Sequence, residues 1–143
     1  MSLSRARATM LAVFLAGFLA QAAMTILVFL KQAISSADLV NLLTESLSVY
    51  SVPMAVMLGG LFASRKISGR ISAKNHTPFL MALVLAVVWN ALLVWRFATF
   101  VYAGFNTAVD DSADKVSAYV DQIAKVSSFL IAGALAYFFS GTS

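Results

Sequence analysis

The chemistry open to this chain is bounded by a few polar side chains set inside apolar runs. Gln21 and Asn90 each stand near the middle of such a run. A primary amide brings two donors and one acceptor carbonyl and does not ionise. The two can therefore form interhelical hydrogen bonds or line a hydrated path, but neither relays protons alone. Arg96 is the one charged residue well inside an apolar stretch. Asp121 and Lys125 are spaced to pair one helical turn apart. Asp110, Asp111 and Asp114 cluster in one short segment, and such carboxylates, repeated around an oligomer axis, concentrate cations at a channel mouth. Arg65, Lys66, Arg70 and Lys74 form the opposite, basic cluster.

The same inventory excludes much. The chain has no cysteine, and His76 is its single histidine. Thiolate metal sites, a haem-ligating histidine pair and a buried serine–histidine nucleophile all lack their parts. Catalytic residues, metal and cofactor are accordingly expected to be none. A proton-coupled carrier needs an ionisable group on its intramembrane route, whereas the carboxylates here fall toward the ends of the apolar runs.

Four apolar segments must position these groups, at about 9–30, 47–63, 78–102 and 118–139. Each approaches the ~20 residues a helix needs to cross ~30 Å of hydrocarbon. The chain is 61% hydrophobic and 11% charged, against the ~25% charge of soluble domains. The expected fold is therefore an all-α integral membrane protein: four transmembrane helices in an antiparallel bundle, a single domain over 1–143. The N-terminal run with Arg5, Arg7 and the small-x-small Ala20-Gln21-Ala22 has features of a secretory signal peptide, but apolar character continues to Leu30. An uncleaved first span fits that length better.

Local residues refine the helices. Ser35 or Ser36 can cap a helix beginning near Asp38, giving an amphipathic prefix over about 37–46 with Asp38, Asn41, Glu45 and Ser48 opposite Leu39, Leu42, Leu43 and Leu47. Pro53 should kink the helix that follows. Thr77 as N-cap with Pro78 at the first helical position sets the expected start of the third span. Arg96 lies about 27 Å beyond Pro78 at ~1.5 Å per residue, near the outer interface. There it either snorkels to the headgroups or pairs with Asp121 or Glu45. Small residues recur every fourth position: Ala8, Ala12, Ala16 and Ala20; Ser51, Ala55, Gly59 and Ala63; Ala82 and Ala86; Ser128, Ala132 and Ala136. In lipid such lines let helix backbones approach, so they are the expected bundle contacts.

Basic residues are retained on the cytoplasmic side during insertion. Arg5 and Arg7 with the Arg65 to Lys74 loop put both termini inside, in a bacterial inner membrane. The acidic segment from Asp110 to Asp114 then faces outward. The formal charge of +4 points to anionic lipid rather than nucleic acid. A homo-oligomeric channel or pore is the leading functional expectation. An accessory or assembly subunit with a membrane or cytoplasmic protein partner is the alternative, and a small-solute or lipid transporter the second.

Overall fold

The computed structural model describes residues 3–63, 73–106 and 112–140. Among these the chain is all-helical, with α1 Leu3–Leu30, α2 Ser36–Ala63, α3 Ala73–Phe105 and α4 Ala113–Ser140. Three helices are long and apolar enough to cross a membrane, over Arg5–Leu30, Ser36–Gly59 and Phe79–Phe105. Helix α4 covers the fourth expected segment, but the side chains of its later half lie outside the described residues. So do Arg65, Lys66, Arg70, Asp110 and Asp111, and the side chain of Lys74.

Helix ends follow local chemistry. Gln32 adopts a left-handed φ of 58°, its amide bonds to Phe29 O, and the Ala33 amide to Val28 O. This pairing satisfies the last carbonyls of α1 and turns the chain sharply. Ser35 then caps α2: its Oγ accepts from the Asp38 amide at 3.2 Å, while Asp38 Oδ2 accepts from the Ser35 amide at 3.0 Å. Each group satisfies a donor the other leaves open. The prefix and second span are thus one continuous helix containing Pro53. Ser112 Oγ, 3.4 Å from the Lys115 amide, sits at the start of α4.

Helix α3 departs from expectation by beginning at Ala73, five residues before Pro78. Proline at the sixth helical position forfeits one bond, to the Lys74 carbonyl in the opening turn, which the helix tolerates so close to its start.

Helix α1 packs against α2 and α3, and α4 packs against the same two. The α1 core line is Ala6, Met10, Phe14, Gln21, Thr25 and Val28, with Gly17 among them. On α2 it is Leu42, Ser46, Tyr50 and Met57, and on α3 Phe79, Ala82, Ala86, Asn90, Leu93, Phe97 and Phe100.

The small-residue lines therefore divide. Ala82 and Ala86 are buried as expected, but Ala8, Ala12 and Ala16 on α1 and Ser51, Ala55 and Gly59 on α2 face outward. Desolvation explains the choice. An amide or phenol in a membrane helix must turn toward another helix, and Gln21 and Tyr50 each sit one residue, about 100°, off the neighbouring small-residue line. On α3, Asn90 continues the Ala82–Ala86 line, and both preferences agree. Arg7, one of the basic residues read as setting the topology, is buried.

Candidate functional site: a buried polar layer and an outward hydroxyl line

At the middle of the bundle three helices meet through one phenol. Gln21 Nε2 donates to Tyr50 Oη at 2.6 Å, Tyr50 Oη donates to Asn90 Oδ1 at 2.8 Å, and Asn90 Nδ2 donates to Ala86 O at 2.8 Å. Thr25 Oγ1 donates back to Gln21 O at 2.9 Å. Gln21, Thr25 and Tyr50 are wholly enclosed, and Asn90 nearly so. Aromatic rings close the layer. The Tyr50 ring centroid lies 5.0 Å from that of Trp89 and 6.2 Å from that of Phe14, with Phe18 at 5.8 Å.

The sequence singled out Gln21 and Asn90, and the structure joins both through Tyr50, which it did not single out. The clue available was the four-residue step from Ser46 to Tyr50, continuous with Leu42 on one helical face. Gly17 completes the layer. A Cβ added there would overlap the Asn90 amide oxygen and lie 2.8 Å from Tyr50 Oη.

The second group of polar residues surrounds the contact of α2 with α4. Ser117 Oγ donates to Glu45 Oε1 at 2.6 Å. Beside it Glu45, Ser48, Val49, Val120 and Asp121 line an open groove of about 120 Å³. Asp121 and Lys125 form an exposed ion pair, as their spacing predicts. Asp114 is exposed at the start of α4. Arg96 donates to Thr99 Oγ1 at 3.2 Å, and its guanidinium carbon lies 6.0 Å from the Tyr119 ring centroid. That is the range of a cation–π contact, and it brings Arg96 to α4 two positions before Asp121.

The outward face of α2 carries a further polar line. Ala37, Asn41, Thr44, Ser48, Ser51, Ala55 and Gly59 are all exposed. At 100° per residue they fall within an arc of about 80°, centred opposite the buried line of Leu42, Ser46, Tyr50 and Met57. Val40, Leu47 and Val52 flank the exposed line, and they too are exposed. Exposed positions on α3 are mostly large and apolar, Leu80, Met81, Val84, Leu85, Val88, Leu92 and Trp95, with the small Ala91 and Ala98 among them.

Depth gives the α2 line its meaning. Asn90 stands near the middle of the Phe79–Phe105 span, and Tyr50 is bonded to it. Ser48 and Ser51, on either side of Tyr50, therefore face outward at mid-span. Ser51 Oγ donates to Ser48 O at 2.7 Å, which satisfies one hydroxyl within the helix. No protein-family model, curated protein or solved structure matches this chain.

Proposed function

We propose that this chain is a non-catalytic integral membrane protein that forms a pore as a homo-oligomer. The observation that carries the reading is the outward line of Asn41, Thr44, Ser48 and Ser51, continued by Ala55 and Gly59 along a helix apolar enough to span the bilayer. Small hydroxyl residues turned away from the core gain nothing from hydrocarbon and suit a water-filled lumen. The large apolar face of α3 suits lipid.

Among the described residues one chain leaves no room for such a lumen, because the buried rings of Phe14, Tyr50 and Trp89 fill its interior. Several copies arranged with α2 toward a common axis supply one. Glu45 and Asp121, which share a groove with Ser48, then stand beside the path, with Asp114 further out at the start of α4, favouring cations. The antiparallel arrangement is supported by the tight turn between α1 and α2 and by pairings that advance together along α1 and α3, Gly17 with Asn90 and Val28 with Gly104. Four spans, with both termini on the cytoplasmic side of a bacterial inner membrane, agree with the basic residues of the N-terminus and of the loop from Arg65 to Lys74.

The Asp121–Lys125 pair favours a second reading, an accessory or assembly subunit. The pair is neutral as a unit and can enter a protein interface at lower cost than either charge alone. The test is the native mass in mild detergent. A symmetric multimer of this chain supports the pore, whereas a fixed complex with a different chain supports the subunit and overturns the pore.

A further inference from the structure

Three polar atoms around Tyr50 remain without a protein partner while their residues are almost fully enclosed. They are Gln21 Oε1, Ser46 Oγ and Trp89 Nε1, on residues exposed by 0%, 1% and 3%. Buried groups of this kind are as a rule hydrogen-bonded, because an orphan loses its hydration without compensation. All three adjoin one side chain. Gln21 is bonded to the Tyr50 hydroxyl, and the Trp89 ring packs 5.0 Å from the Tyr50 ring. Ser46 lies one turn before Tyr50, on the turn over which a helical tyrosine leans.

Their chemistry is complementary. Gln21 Oε1 only accepts, Trp89 Nε1 only donates, and Ser46 Oγ does either. Water, which donates and accepts alike, can serve each of them. We propose that this layer is a binding site for internal water, held by Gln21, Ser46 and Trp89 against Tyr50. Enclosure selects water over a larger polar guest, because all three residues are almost wholly shielded. About three hydrogen bonds is the usual complement of a buried water. The site is distinct from pore hydration, since Trp89 and Ser46 lie on the core side and the hydroxyl line of α2 on the opposite face.

Water-edited solid-state NMR of the full chain in lipid bilayers tests this. The chain has two tryptophans, so Trp95→Phe leaves Trp89 as the single indole. Magnetisation should pass from water to the Trp89 indole N–H and to the Gln21 side-chain amide. The transfer to Trp89 should be lost in Gln21→Met and reduced in Ser46→Ala, each made in the Trp95→Phe background. Absence of transfer to Trp89 in the Trp95→Phe protein overturns the proposal, and so does transfer that persists unchanged in Ser46→Ala. If Gln21→Met fails to fold, the Trp95→Phe and Ser46→Ala measurements still decide.

Discussion

Asn90 reaches Tyr50 across the backbone of α1 only because position 17 has no side chain: a Cβ at Gly17 would overlap the Asn90 amide oxygen. The Tyr50–Asn90 bond of 2.8 Å and the glycine are thus one feature seen from two helices. Gly17→Ala should displace the amide and break the three-helix link, costing about 1–3 kcal/mol. Thermal unfolding in detergent measures the loss. Adding Asn90→Ala should recover part of it, so the double variant is less damaged than the sum of the singles. Strict additivity would mean that Gly17 and Asn90 do not share the space.

Tyr50→Phe keeps the ring packing against Phe14 and Trp89 but removes the hydroxyl that accepts from Gln21 and donates to Asn90. Two amides then lose a partner in the enclosed core. A cost of about 1–2 kcal/mol is expected, above the mean for one interhelical hydrogen bond in a membrane because two groups are orphaned together. A loss of a few tenths, read by the same unfolding assay, would show that the amides repair the gap between themselves.

At the turn after α1, Gln32 holds a left-handed backbone that side chains with a Cβ adopt at a penalty of roughly 1–2 kcal/mol. Gln32→Gly should relieve it and raise stability by about 0.5–1 kcal/mol once the extra freedom of glycine in the unfolded chain is counted. Gln32→Val should do the reverse. A glycine variant less stable than the parent would show that the glutamine side chain contributes more than its backbone costs.

What the sequence made legible was governed by desolvation. Gln21 and Asn90 stood out because an amide amid apolar residues has few acceptable surroundings, and both are buried and bonded across helices. The capping of α2 by Ser35 was equally legible, since short polar side chains act within three residues of themselves. Tyr50 was not, because an aromatic residue in an apolar run is consistent with a lipid-facing ring, and only its neighbours on two other helices reveal the hydroxyl's task.

The facing of α1 and α2 was misread for a related reason. Small-residue lines report where a helix can be approached, not which approach wins, and the buried amide and phenol decided the rotation. Local signals also misplaced the start of α3, where Thr77 and Pro78 fit a helix beginning that the chain makes at Ala73.

The central claim is that the α2 face carrying Thr44, Ser48, Ser51 and Ala55 meets water at mid-membrane in the assembled protein. Because the chain has no native cysteine, single cysteines placed along α2 and α3 report this directly through their reaction with a small, charged, water-soluble thiosulfonate in lipid bilayers. Cysteine at positions 44, 48, 51 and 55 should react readily, and cysteine at 84 and 88 on α3 should not. If Ser48→Cys and Ser51→Cys are as unreactive as Val84→Cys and Val88→Cys, that face is covered by lipid or by another chain, and the pore reading is contradicted.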